Sequence, residues 1–463
     1  MRSDTVVRPA IDRWLPLGVA AVSAAVFLLA SRHLVDDAYV TLSYARNLAL
    51  HGHWGLVEQG TANTATSPLH VAAVAAVTVV VRDAVVGAGV VFVAAQVLLA
   101  TGLNRLAEKT GLPRQFVLLA FAALLLNPLL VSAVGLEVLP AAAGAVWMLV
   151  FATERRPAAL GFAAGALLLV RVDLLVVALV VFVARPRFWE GVWRTTFAAL
   201  VVAVPWFAFS WFVLGSAVPD TVVFQQPTVP WLDFPAATLI SFLPVPLAAI
   251  VALVRRDEAT RPFAVLAGAG IVHSVVVASP DPWSYAPAIV GATVFLAAWI
   301  CVTPHRVPVA AAAGLVLAAA VGVYVAPGLP RRFAPITGNL AATDEYREIG
   351  TQLATLAKGR AVESPGETGA LAYACDCHLV GEFSDRGAVD PAITETKLRS
   401  NELGRALIEA NFHHFDHGVA PTTPELVLET TPRAPPPTAL AAWTIDSPRA
   451  GTQHLYLAPA RGQ

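Results

Sequence analysis

What this chain has least of is charge. Only 14% of its 463 residues are Asp, Glu, Lys or Arg, against about a quarter in an ordinary soluble protein. Lysine is nearly missing: Lys109, Lys358 and Lys397 are the only three. With a net charge of -1, the chain has no basic excess for a nucleic-acid partner. Cysteine is scarce as well. Cys301 lies in an apolar run and reads as a small hydrophobe; Cys375 and Cys377 lie in a polar tail. One intervening residue is short for an unstrained disulfide. The pair also lacks the further ligands of a zinc site. Both therefore read as incidental cysteines. There is no internal repeat, which counts against a transporter built from two related halves.

What the chain has instead is apolar sequence. Hydrophobic residues make up 57% of it, and the mean hydropathy is +0.65. They fall in runs at 14–31, 69–103, 115–132, 138–152, 158–170, 174–184, 195–214, 236–254, 262–278, 285–302 and 307–326. This pattern belongs to a polytopic α-helical membrane protein of about 11 crossings. The abundance of Ala, Val and Arg over Lys suits a GC-rich, actinobacterium-like source.

Basic clusters set an orientation, because Lys and Arg are retained in cytoplasmic loops. The clusters are Arg2, Arg8 and Arg13; Arg105, Lys109 and Arg114; Arg155 and Arg156; Arg185, Arg187 and Arg194; Arg255, Arg256 and Arg261; and Arg306. They predict a cytoplasmic N-terminus and an external C-terminus in the plasma membrane. The 69–103 run is long enough for two helices split at Arg82-Asp83, of which 69–81 is expected to be only partly inserted. Residues 1–326 form the predicted membrane domain, with a first external loop at 32–68. A proline-marked linker follows at 327–339, then a small α/β domain at 340–463. In that domain "TDEYREIGTQLATLAK" and "ETKLRSNELGRALIEANF" read as helices. "AVES", "GALAY", "HLVGEF", "ELVLET" and "HLYLAP" read as strands.

The few charges beside the membrane therefore stand out. Asp36 and Asp37 open a helix-like stretch that Gly52 closes. One aspartate suffices as an N-cap. The other sits at a low-dielectric boundary beside a like charge, which raises a carboxyl pKa toward that of a useful general base. Arg46 either snorkels to headgroups or holds a phosphate with its planar fork. Glu137 lies at a helix junction on the same side. Arg171 and Asp173 interrupt an apolar stretch as a local ion pair or as part of a cavity. Asp220 follows Pro219 as a turn residue or a cavity residue. His273 reads as a core histidine. His51 and His53 lack the spacing of a metal pair. All the external charges are expected to converge on one outer cavity.

The ordered motifs resemble those of the GT-C fold glycosyltransferases. These motifs are Asp36-Asp37, Tyr44-Ala45-Arg46-Asn47, Gly52 to Gly55, Thr66-Ser67-Pro68, "VGLEVLP", "LLVRVDLL" and "WFVLGSAVPDTV". The sequence departs from the family pattern at Val172, Leu174 and Asp220, where Pro, Gly and Asn are usual. The nearest resemblance is to actinobacterial cell-envelope arabinofuranosyl- and mannosyltransferases.

The resemblance implies an inverting transferase. Its donor is a polyprenyl-phosphate sugar, with arabinofuranose or mannose favoured. Its acceptor is a cell-envelope glycan or glycolipid, and no nucleic acid is involved. It assigns catalysis to Asp36 and Asp37, with Asp36 as base, and donor-phosphate binding to Arg46 and Arg171. Tyr44, Asn47, Glu137, Asp173 and Asp220 would contact substrate. A divalent cation (Mg, Mn or Ca) is allowed rather than implied, with Asp36, Asp37 and Glu137 as oxygen ligands. The competing classes are a flippase of a lipid-linked or anionic substrate and a non-catalytic scaffold of the same fold.

Overall fold

The structure is a computed structural model. It describes residues 11–460, apart from 186, 188, 225–230, 255–256, 305, 365 and 367–368. The orientation markers Arg2, Arg8, Arg255 and Arg256 lie outside the described residues.

The chain opens with helix α1 (Ile11–Ala30) and continues into a loop helix α2 (Asp36–His51). The bundle follows as α3 (Pro68–Val81), α4 (Ala84–Thr110), α5 (Gln115–Leu125), α6 (Pro128–Ser132), α7 (Val138–Thr153) and α8 (Pro157–Val170). It continues with α9 (Leu175–Ala184), α10 (Val192–Val213), α11 (Pro235–Phe242), α12 (Pro244–Val254), α13 (Arg261–Val277), α14 (Ala286–Val302) and α15 (Arg306–Val325). Five helical stretches are long and apolar enough to cross a membrane by length and composition: 84–110, 192–213, 235–254, 282–302 and 307–325. Shorter apolar helices of 10–17 residues pack among them. The long run at 69–103 divides as its sequence suggests. Arg82 ends α3 in the left-handed conformation, and the Asp83 side chain caps α4 by accepting from Val86 N. Apolar side chains such as Trp193, Phe197 and Val213 stay exposed on α10, as a lipid-facing helix requires.

Close helix contacts place the elements that carry the site. On α13 a Cβ at Gly270 would lie 2.2 Å from the Pro287 carbonyl, and one at Gly291 of α14 would lie 2.6 Å from Leu266 O. Only glycine lets these two helices approach so closely. Their contact fixes His273 and Trp283 at one end of the bundle.

After α15 the linker is pinned rather than loose. Arg331 donates to the carbonyls of Val323 and Tyr324, and Ile336 N donates to Ser132 Oγ. The C-terminal part contains α16 (Thr343–Ala357), β1 (Val362–Glu363), α17 (Gly369–Cys375), β2 (Leu379–Val380), α18 (Val389–Arg399), α19 (Glu402–Asn411), β3 (Leu426–Thr431), β4 (Ala441–Ser447) and β5 (Gly451–Pro459). Its mixed sheet runs β2-β1-β3-β5-β4. β1 is parallel to β2 and β3, while β5 is antiparallel to β3 and β4.

Three expectations are corrected here. "GALAY" is helix α17 rather than a strand, because the Asp36 carboxylate satisfies the free N–H groups at its start. The expected single helix over 395–412 is two, broken before the Asn401 cap. Cys375 and Cys377 are not separate thiols but a disulfide. Asp376 between them adopts φ 52°, which turns the chain back and brings their Cα atoms to 5.1 Å, within the range a bridge spans.

Candidate active site

Helix α2 begins at the aspartate pair, and its two carboxylates diverge. Val35 occupies the N-cap position and contributes no side-chain cap, so neither aspartate caps α2. Asp36 instead turns toward the C-terminal part. Its carboxylate accepts from Gly369 N at 3.1 Å and Ala370 N at 2.7 Å, and its own N–H donates to Asn339 Oδ1. A Cβ at Gly369 would lie 2.3 Å from the Asp36 carbonyl, so α17 rests directly on this turn. Both carboxylate oxygens of Asp36 are thus engaged by backbone N–H groups at the start of α17.

Asp37 points the other way. Its side chain is exposed by surface area, although protein atoms crowd around it. Trp283 Nε1 donates to its Oδ2 at 3.3 Å. Burial pushes its carboxyl up, and the nearby Glu137 carboxylate adds to the rise; the Trp283 bond and the Arg171 charge oppose it. Asp281 stands beside it. Burial, and then the charge of Asp37, push the Asp281 carboxyl up to about 7. Asp281 also accepts from Trp283 N at 3.2 Å and so fixes the indole that bonds Asp37.

Arg171 closes the cluster. The chain leaves α8 in extended conformation at Arg171, and a short 3-10 turn at Val172–Leu174 brings Asp173 back to it. Arg171 grips Asp173 in a fork, Nε to Oδ1 at 3.1 Å and Nη2 to Oδ2 at 2.8 Å. Its Nη1 donates to Glu137 Oε1 at 3.2 Å. These bonds commit three of the five guanidinium N–H groups, so two remain for a ligand. His273 Nε2 lies 3.4 Å from Asp173 Oδ2. Arg171, His273, Trp283 and Ser284 form the polar part of the lining of an otherwise apolar groove. Its walls are Val138, Ala141, Ala142 and Ala145 of α7, with Leu174, Val177, Leu266 and Val290 opposite.

Other expected site residues serve the scaffold. The Tyr44 hydroxyl meets Ala62 O at 3.0 Å and Thr64 Oγ1 at 2.7 Å, while Asn47 donates to the carbonyls of Gly55 and Leu56. Asp220 accepts from Ser216 Oγ and Asn63 N. All three are 0% exposed, so their placement as substrate contacts is corrected. They hold the loop between α2 and α3 in shape. Arg46, expected to bind a phosphate, does not line this groove. It pairs with Asp376 at 2.8 Å, donates to Tyr373 O and stacks on the Tyr373 ring. Among the described residues, no cluster of three or more His, Cys, Asp or Glu is arranged to hold a metal. In particular, Asp36, Asp37 and Glu137 do not converge as a cation site, because Asp36 turns away to α17.

Sequence reasoning gave Asp281 and Trp283 a place in an outer loop but no role; His273 is 1% exposed, as expected of a core histidine, and also faces Asp173. The one signal was the short "PDPW" run among external charges. A direct check on the cluster is available. If Asp37 acts as a base it must be ionised, so activity rises with pH through its pKa. The Glu137 carboxylate helps raise that pKa, and removing its charge lowers it. In Glu137→Gln the acid limb of a pH–rate profile should therefore move to lower pH. An unmoved limb would mean that the titrating group does not sense Glu137.

No family model and no curated protein sequence matches this chain. Its fold is similar to that of ArnT from Cupriavidus metallidurans. The ArnT structure with undecaprenyl phosphate is 14% identical over 96% of this chain and 97% of that one, with a TM-score of 0.52. The apo structure is 14% identical over 97% and 98%, with a TM-score of 0.53. Arabinofuranosyltransferase AftD from Mycobacteria is a weaker match, 21% identical over 76% of this chain and 30% of that one, with a TM-score of 0.46. The chain thus has the GT-C membrane fold with a small C-terminal α/β part.

Proposed function

We propose that this protein is an inverting glycosyltransferase that takes its sugar from a polyprenyl-phosphate donor in the membrane. One observation carries the reading: an ion-paired arginine with two uncommitted N–H groups lines an otherwise apolar groove, beside a carboxylate with a raised pKa. The groove suits a prenyl chain, and Arg171 suits its phosphate. The ArnT fold, in a structure bound to undecaprenyl phosphate, supports the same lipid class.

Asp37 accepts the proton of the acceptor hydroxyl as that oxygen attacks the anomeric carbon. The bond from that carbon to the phosphate oxygen breaks on the opposite face, inverting the configuration. The departing polyprenyl phosphate keeps the electron pair and is stabilised by Arg171. The transition state has oxocarbenium character, which suits a site richer in carboxylates than in cations. Glu137 and Asp173 hold Arg171 in position and lie within reach of sugar hydroxyls.

The acceptor is a cell-envelope glycan or glycolipid, the favoured sugar is arabinofuranose or mannose, and the reaction occurs at the outer face of the plasma membrane. The membrane domain at 1–326 carries the chemistry, and the part at 340–463 covers the site from outside. Reconstituted protein should be given polyprenyl-phosphate arabinose, mannose, galactose and glucose with envelope glycan acceptors. Transfer from one donor is the expected result. No transfer from any of them, together with no binding of free polyprenyl phosphate, would refute the reading.

Asp36 then becomes a docking residue. Asp36→Asn should reduce transfer less than tenfold, while weakening the capping of α17 by about 0.5–2 kcal/mol. Faster hydrogen exchange over Gly369–Cys375 measures that loosening. A loss of transfer as deep as that of an Asp37 variant would restore Asp36 as the base.

A further inference from the structure

Helix α19 has three faces, and the side chains of one are exposed. Gly404, Ile408 and Asn411 face the protein and are half-buried. Glu402, Arg405 and Glu409 form a polar face. Leu403, Ala406, Leu407 and Ala410 recur at i, i+3, i+4 and i+7, so they line the third face. All four are exposed, Leu403 at 70% and Leu407 at 63%. Leu398, just before α19, is 83% exposed. A helix that turns leucines outward on an otherwise folded domain needs something to cover them.

The position of α19 says what covers it. Trp211, at the end of the membrane-spanning α10, donates from Nε1 to the Ala410 carbonyl at 2.9 Å. Asn411 joins the chain just beyond α10, accepting from Val218 N at 2.7 Å and donating to Val218 O at 3.3 Å. Phe212 and Val213, in the last turn of α10, are 63% and 65% exposed, as lipid-facing residues are. The apolar face of α19 therefore abuts the point where α10 leaves the bilayer. Trp211 at that junction matches the aromatic belt of a membrane interface. Lys397 and Arg399 beside the leucines are ion-paired with Glu409 and Glu395, and Arg405 lies on the polar face, so the leucines form an apolar stripe next to a charged one.

We propose that α19 lies in the bilayer interface, with Leu398, Leu403 and Leu407 set among the lipid acyl chains and Arg405 at the headgroups. The α/β part is then tied to the membrane domain at α17 and seated in lipid at α19. The occupant is the bilayer itself rather than a second copy of the chain, because this face continues the lipid-facing surface of α10.

The test uses the full chain with Cys301→Ser, kept oxidised so that Cys375 and Cys377 stay paired. Single cysteines replace Leu403, Leu407, Arg405 or Glu409 and carry an NBD fluorophore. The proteins are reconstituted into phosphatidylcholine–phosphatidylglycerol vesicles with shallow doxyl-labelled lipid. Doxyl quenching at 403 and 407 should exceed that at 405 and 409 at least threefold, with blue-shifted emission. Equal, weak quenching at all four positions would overturn the proposal. So would a blue shift at 403 and 407 that ignores doxyl lipid and fades as the protein-to-lipid ratio falls, since that marks a second copy as the cover. Each labelled protein must elute from a sizing column as the unlabelled chain does.

Discussion

Asp37→Asn should abolish sugar transfer, lowering kcat by about 10²–10⁴-fold, the range a positioned general base contributes. Asparagine keeps the shape of the side chain and its bond to Trp283 Nε1. It cannot take the proton. Donor binding should be nearly unchanged, because the groove and Arg171 are untouched. Initial rates and the binding of free polyprenyl phosphate, measured on the same preparation, separate the two effects. A variant that keeps more than a tenth of wild-type kcat would remove Asp37 from the role of base. Comparison with Asp36→Asn is the sharper experiment, since the two residues are neighbours. Position 36 should respond as a docking contact, and position 37 as a reacting group.

That division could not be read from the aspartate pair alone. Adjacent residues on a helix point about 100° apart, so only one of the two can face a given cavity. Which one depends on partners far away in sequence, namely Gly369 and Ala370 for Asp36 and Trp283 for Asp37. Nothing local to "VDDAYV" announces them. The same reason explains Arg46, whose partners Tyr373 and Asp376 lie in the tail. Tyr44, Asn47 and Asp220 belong to motifs that mark the site, yet they act by building the loop behind it.

Other features were readable because their causes are local. The break at Arg82-Asp83 follows from a charged pair inside an apolar run, and the end of α2 follows from Gly52 at φ 67°. The pairing of Arg171 with Asp173 follows from two opposite charges two residues apart in an apolar stretch. Its extension to Glu137 and the groove does not, because it needs α7, α13 and α14 to be packed together.

Arg171 is where the second large effect is expected. Its guanidinium binds two carboxylates and still offers two N–H groups. Arg171→Lys keeps the charge but loses the planar fork. Charge-assisted bonds are worth about 1.5–3 kcal/mol each, so the loss of one to the donor phosphate should raise the donor KM roughly 10–100-fold. The kcat should fall less. Arg171→Gln goes further. It removes the positive charge facing Glu137 and Asp173, and breaking such a pair costs about 3–5 kcal/mol where it is buried. It also withdraws the cation that holds the Asp37 carboxyl down. The acid limb of any activity that survives should therefore move to higher pH, opposite to its movement in Glu137→Gln. The two variants remove opposite charges that act on one titrating group. If both limbs moved in the same direction, the base would be a residue other than Asp37. Opposite movement fits Asp37, whose carboxyl Glu137 pushes up and Arg171 holds down.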